Sequence, residues 1–254
     1  SFYPKYDIKS EVVSCELNDI TSYMKAVGGV LEVKRRGKKK NNEEDEISYE
    51  SEKSAKQHSV RMSDAQFAVN NDKNKIEIFK KLITKISDIG CVVYAYHHDS
   101  IELLSEALTE LEIEHYKITG EVSQKNRAVV KKNFTTDSRN KVLLITSGGG
   151  QSLNLQSTNR IVFYDIPFGI GKYIQVLGRV SRYYSSFNEF EVYYVTVKDT
   201  IDDYKLNYIT QNSEPIRKVL NNEIGSNINM LFSDYNDYVL RKLKNQYLWQ
   251  KKVK

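Results

Sequence analysis

The chain has 254 residues, of which 40% are hydrophobic and 28% charged, and a formal net charge of +5. This suffices for one large domain with appendages and a sizeable core. No apolar run approaches the roughly 20 residues of a membrane-spanning helix, and the start has no signal-peptide pattern, which excludes a membrane partner as the default. Cys15 and Cys91 lie far apart and outside any metal-ligand spacing, so a reducing cytoplasmic or nuclear setting is expected. The mild basicity permits a polyanionic partner without requiring one, because the charge is spread along the chain.

In chain order, Val12 to Leu17 is expected as a strand and Asn18 to about Val27 as a helix. A basic run (Lys34 to Lys40) and an acidic run (Glu43 to Glu46) follow with no apolar period, so about 34–63 is expected to be a mobile insertion. A helix is expected from Asp72 to Ile86. From Gly90 onward, strands and helices alternate. The strand Cys91 to Tyr96 precedes a helix capped by Asp99 or Ser100, whose Ile101, Leu104, Leu108 and Leu111 recur at helical spacing. A short strand, His115 to Ile118, precedes a helix that starts after Ser123 and carries Val129, Val130 and Phe134. Lys141 to Ile145, Arg160 to Tyr164 and Glu191 to Val195 read as strands, with a helix from Tyr173 to Val180 between the last two and another from Thr200. This pattern implies an α/β fold, a parallel sheet flanked by helices. A C-terminal helical extension spans about Asn227 to Trp249, with Ile228, Leu231, Tyr235, Val239, Leu243 and Tyr247 on one stripe and a basic far end. It is expected to dock on the lobe's own helices. The division that follows is an approach segment at 1–71, a main lobe at 72–222 and an amphipathic basic helix at 223–254.

Two segments carry chemistry. In Gln175-Val-Leu-Gly178-Arg179-Val-Ser-Arg182, the spacing of three sets both arginines on neighbouring positions of a helical turn, where both can aim at one anion. Gly178 removes a side chain where a close approach is needed. Two guanidinium groups suit the charge spread over a transferring γ-phosphoryl group, although an isolated Arg-x-x-Arg is most often a solvated surface pair. The second segment, Thr146-Ser147-Gly148-Gly149-Gly150-Gln151-Ser152-Leu153-Asn154-Leu155, follows a buried strand. Its small residues leave backbone N–H groups open to a phosphate. A structural tight turn remains open as an alternative. A dinucleotide loop does not fit, because Leu153 stands where the third glycine would be.

Together these segments resemble the second RecA-like lobe of superfamily 2 helicases and translocases, in their Swi/Snf-like branch. The ordered set comprises a glycine-rich loop ending in Leu153-Asn154-Leu155, a strand ending in Asp165, the Gln-x-x-Gly-Arg-x-x-Arg segment, and the strand Val192 to Val195 closing on Lys198-Asp199-Thr200. Upstream, Cys91 to Tyr96 looks like the family's motif IV strand, and Thr119-Gly120, Arg127 and Phe134 look like its later landmarks. Two departures stand out. Ser152 replaces a usual glycine, and Arg182-Tyr183-Tyr184-Ser185 stands where true remodellers continue Arg-Ile-Gly-Gln. Phage, viral or bacterial translocases from AT-rich genomes are therefore equally in view. The resemblance implies arginine fingers at Arg179 and Arg182, ATP contacts at Gln175, Gly178 and Asp165, and nucleic-acid contacts at Thr119, Gly120, Arg127, Ser147, Gly148, Gly149 and Asn154. DNA is the expected partner, with RNA as the alternative.

The sequence contains no G-x-x-x-x-G-K-[ST] segment, and Asp45-Glu46 lies in a charge run without a preceding apolar strand. ATP and Mg²⁺ are therefore expected to be held largely by a first lobe, upstream in a parent protein or in a partner, with this chain alone inactive. No metal ligands are assigned, and His97-His98 reads as a loop edge. One rival reading is a catalytically silent lobe that binds DNA or protein. Another is a Rossmann-like enzyme, which leaves the arginine segment unexplained.

Overall fold

The computed structural model describes residues 7–28, 62–148, 155, 157–167, 169–180, 187, 189–212 and 228–253, with side chains in the last helix from Tyr238 onward. The expected insertion at 34–63 lies outside these residues except for its last two positions. Six strands form one sheet in the order β1-β6-β5-β2-β4-β3, and every pairing is parallel. They are β1 (Asp7–Cys15), β2 (Cys91–Tyr94), β3 (Glu114–Ile118), β4 (Lys141–Ile145), β5 (Arg160–Phe163) and β6 (Glu189–Val197). The helices are α1 (20–28), α2 (62–70), α3 (Lys73–Ile86), α4 (His98–Glu110), α5 (Gln124–Thr136), α6 (Ile170–Leu177), α7 (Ile201–Gln211) and α8 (Ile228–Val253).

The central strands are buried on both faces, as continuous apolar runs require. Val92 and Tyr94, Leu143 and Ile145, and Ile161 and Phe163 face a core shared with α1, α2 and α5–α8. The intervening Cys91, Val93, Val142, Leu144 and Val162 face a second core formed with α3 and α4. From β2 the chain passes beyond β4's place to β3 and then returns to β4. Crossovers of one hand running in opposite directions place α4 and α5 on opposite faces. Gly90, with φ +85°, makes the turn into β2; a Cβ there would lie 1.9 Å from the Ser138 carbonyl oxygen.

Several boundaries differ from expectation. β1 begins at Asp7, earlier than Val12, and pairs with β6 along all nine residues. The stretch ahead of residue 72 therefore contributes an edge strand and two helices to the same sheet and core. Asp72 joins these parts: it caps α3 through Asn74 N–H (3.0 Å) and accepts from Asn18 N–H (2.8 Å) and Asp19 N–H (3.1 Å). α4 starts at His98 with His97 as its cap residue, ahead of the expected Asp99 or Ser100, and without a side-chain capping bond. α5 and α7 start where expected, and Ser123 and Thr200 cap them, accepting from Asn126 N–H and Asp202 N–H. α8 docks on this lobe. Val239 and Leu243 are fully buried in the core containing α1 and α7, and Tyr247 covers Gly28.

Candidate functional site

Because all strands are parallel, every strand's C-terminal end lies on one edge, where α/β sheets place their ligand sites. On the β3–β4 half, the loop after β3 is braced by Arg127. Its Nε donates to the Val122 carbonyl (2.7 Å), and its Nη2 donates to those of Thr119 (2.9 Å) and Gly120 (3.0 Å). Expected as a nucleic-acid contact, Arg127 here also shapes the loop beside it. Thr119 is buried, whereas Gly120 is exposed with open space where a Cβ would stand. Beside it, after β4, a Cβ on Gly148 would meet Gly120 Cα at 3.3 Å, so the two loops touch backbone to backbone. The Ser147 hydroxyl is held by the Tyr94 hydroxyl (2.7 Å). Gly149 and Asn154 lie outside the described residues.

On the β5 side, α6 carries Gln175 in the open, and Gly178 caps the helix through its N–H to the Ile174 carbonyl (2.9 Å). The helix ends at Leu177, so Arg179 stands in the turn that follows, earlier than the expected helix end at Val180. Arg182 lies outside the described residues. A spacing of three puts Lys172 and Gln175 on one side of α6, and Arg179 in the following turn is close enough to Lys172 to oppose its charge. Lys172 Nζ donates to the Gln175 Oε1 (2.9 Å) and the Ser147 carbonyl (3.3 Å), and Leu155 N–H donates to the Arg179 carbonyl (3.2 Å). Burial, and then the neighbouring Arg179, pull the Lys172 ammonium below the ordinary lysine range.

Asp165 turns inward. It is fully buried, and its carboxylate accepts from Tyr96 N–H (2.8 Å and 3.0 Å) and Asn70 Nδ2 (3.0 Å). Asp165, expected as an ATP contact, here lies inside the fold and anchors the loop after β2. Burial raises its pKa, opposed by Lys205, the Tyr96 N–H and Lys75. A network continues from it. Asn70 Oδ1 accepts from Gln66 (3.0 Å) and Lys75 (2.9 Å); Asp202 accepts from Gln66 (2.6 Å) and Lys75 (2.6 Å); Lys205 donates to Gln66 Oε1 (2.6 Å) and the Ile166 carbonyl (3.0 Å). Sequence reasoning missed this network and Lys172. Gln66 and Asn70 sit at helical spacing on a buried face, which is the one local signal.

The edge suits a phosphate-bearing ligand. Exposed glycine backbone lies at one half, and an amide and a guanidinium side chain on one segment at the other. Among the described residues, no three His, Cys, Asp or Glu side chains come together to hold a metal ion.

Fold and edge together define a RecA-like lobe of the kind that follows the ATP-cradling lobe in helicases. Residues 74–184 match the model of the helicase conserved C-terminal domain. An ATP-dependent RNA helicase eIF4A of Yarrowia lipolytica is 26% identical over 115 residues, covering 45% of this chain and 29% of that protein. The CHD3-type chromatin-remodeling factor CHR7 of Arabidopsis thaliana is 25% identical over 142 residues, covering 54% and 12%. The solved C-terminal part of the Fun30 ATPase domain shares the fold, with a TM-score of 0.58, 17% identity, and coverage of 94% of this chain and 99% of that one. The chain spans less than a third of the length of these curated relatives. Among the described residues, no helix is long and apolar enough to cross a membrane.

Proposed function

We propose that this lobe completes the ATP site of a nucleic-acid translocase. Arg179 and Arg182 act as arginine fingers, and Gln175 and the Gly178 turn line the nucleotide. A separate RecA-like lobe supplies the phosphate-cradling lysine and the acids for Mg²⁺, so this chain alone does not turn ATP over. The loops at Thr119-Gly120 and Ser147-Gly148-Gly149, with Asn154 beyond, grip one strand's phosphates through backbone amides, which hold position without reading bases. The observation that carries this reading is the tie between the two halves of the edge: the β4 loop is hydrogen-bonded at Ser147 and Leu155 to the segment bearing Gln175 and Arg179. Closure against the other lobe would bring the fingers to the phosphates and couple nucleotide state to movement. DNA is the first partner to test, because one relative is a chromatin-remodeling factor; RNA is the comparison, because another is an RNA helicase.

The test is ATP hydrolysis by the full-length protein that bears this lobe, with single-stranded DNA, duplex DNA and RNA compared. Arg179→Ala should lower kcat by about 10³–10⁵, the range for a finger arginine, with nucleic-acid affinity nearly unchanged. Near-normal turnover in that variant would overturn the assignment. Nucleic-acid-stimulated hydrolysis by the 254-residue chain alone would overturn the division of labour between lobes.

A further inference from the structure

Lys172 lies outside the residues that the nucleotide or nucleic-acid reading uses, yet it spans both. Its ammonium has two protein acceptors: the backbone carbonyl of Ser147 (3.3 Å), at the end of β4, and the side-chain oxygen of Gln175 (2.9 Å), one turn along α6. No carboxylate among the described residues pairs with it within 4.0 Å, although Arg179 is close enough to oppose its charge. A partly dehydrated cation beside another cation, with no acid opposite among the described residues, is a costly way to fill space. The usual fate of a helix-surface lysine is a solvated head; here the head is held between two neutral acceptors on different elements. Ser147 is in turn fixed from below by the Tyr94 hydroxyl (2.7 Å), and farther along the same segment the Arg179 carbonyl receives Leu155 N–H (3.2 Å).

We propose that Lys172 is a positioning residue that transmits nucleic-acid occupancy of the Ser147-Gly148 backbone to Gln175 and the Arg179 turn. This rests on the reading of those loops given above. Charge-assisted hydrogen bonds are shorter and stronger than neutral ones, and the arm to Ser147 is the longer of the two. A phosphate seated on the Gly148 backbone, beside Gly120, would shift the Ser147 carbonyl relative to the ammonium. An ammonium that follows the carbonyl moves relative to Gln175, because both acceptors share one Nζ. A neutral side chain of similar length would fill the same space and carry no such signal. Lys172→Met therefore separates transmission from packing, and Lys172→Arg restores the donor.

The experiment uses the 254-residue chain with a mixed-sequence single-stranded DNA, a duplex and an RNA of the same length, at low salt. Affinity is read by fluorescence anisotropy and transmission by amide hydrogen exchange of peptides covering 170–178. In the wild type, saturation with the preferred nucleic acid should slow exchange there by about fivefold or more, the factor that corresponds to roughly 1 kcal/mol. Lys172→Met should bind with a Kd within about twofold of wild type and lose that slowing, and Lys172→Arg should keep it. An unchanged response in Lys172→Met would overturn the proposal. So would a tenfold or larger loss of affinity, about 1.4 kcal/mol, which would make Lys172 a direct phosphate contact. Faster exchange of 170–178 in Lys172→Met before any nucleic acid is added would mark a structural brace and overturn it as well. If the wild type binds none of the three nucleic acids, the reading of the loops fails, and the proposal with it. Binding that protects 147–148 but not 170–178 leaves that reading standing and refutes transmission alone.

Discussion

Lys75→Met should destabilise the lobe by about 3–5 kcal/mol, the cost of stranding one charge of a buried ion pair. The Lys75 ammonium lies 2.6 Å from Asp202, and neither side chain has any exposure. The cation also donates to Asn70 (2.9 Å) and sits 4.6 Å from the Tyr164 ring centroid, so one substitution removes three favourable contacts. Asp202 would keep Gln66 (2.6 Å) and Val197 N–H (3.3 Å) as donors and Lys205 as a nearby cation, none of which replaces the direct ion pair. A domain of this size is stable by about 5–15 kcal/mol in total. At about 2–4 °C per kcal/mol, Tm should fall by roughly 6–20 °C. Thermal and urea unfolding followed by circular dichroism would measure it. Lys75→Met combined with Asp202→Leu should cost less than the sum of the single changes, because the second removes the stranded charge. A loss below about 1 kcal/mol for Lys75→Met, the level of an exposed pair, would refute the account of a dry, interdependent network.

Burial pushes the Lys205 ammonium down to about 7 from 10.5, against the pull of Asp165 and Asp202. Since the folded value lies below the unfolded one, the unfolded chain binds the extra proton between these limits. Stability should rise with pH across that window, by at most about 1.4 kcal/mol per unit. Urea unfolding at pH 7, 8 and 9 should show that slope in the wild type and a flatter one in Lys205→Met; equal slopes would dismiss the depressed lysine. Leu243→Asp should place a carboxylate in the α7–α8 contact and release the helix, so amides 238–253 should lose their exchange protection while β2 and β4 keep theirs. Retained protection in α8 would show that this contact does not hold it.

The sheet was legible where burial on both faces leaves an unbroken apolar run. β4 has the expected bounds, Lys141 to Ile145, and β2 and β5 fall one or two residues short of theirs. β1 was mostly hidden, because an edge strand faces water: Lys9, Ser10 and Glu11 are exposed, and the apolar signal survives only around Val12 and Val13. α2 was hidden for the opposite reason. Its Met62, Ala65 and Val69 keep helical spacing, but Gln66 and Asn70 share the buried side and break the apolar period. Beyond that spacing, nothing local distinguishes such residues from surface ones. Their partners Asp165, Asp202 and Lys205 lie 95, 136 and 139 residues away in sequence.

At the candidate site, the folded chain adds neighbours that the motifs do not show. Arg127, Ser147 and Asp165 stand where the resemblance places functional residues, yet each directs its polar atoms into the protein: Arg127 to three loop carbonyls, Ser147 to Tyr94, and Asp165 to Tyr96 N–H and Asn70. A motif read as side chains suggests a row of contacts, whereas the folded edge uses those side chains to hold backbone in place. Gly120 and Gly148 are the exposed residues where the two loops touch, and a methyl group on Gly148 would already crowd Gly120 Cα at 3.3 Å. This favours recognition by backbone amides, indifferent to base identity, over recognition by side chains. It also explains why a substitution at Arg127 should act through loop shape: the phosphate would lose a preorganised surface rather than a charge.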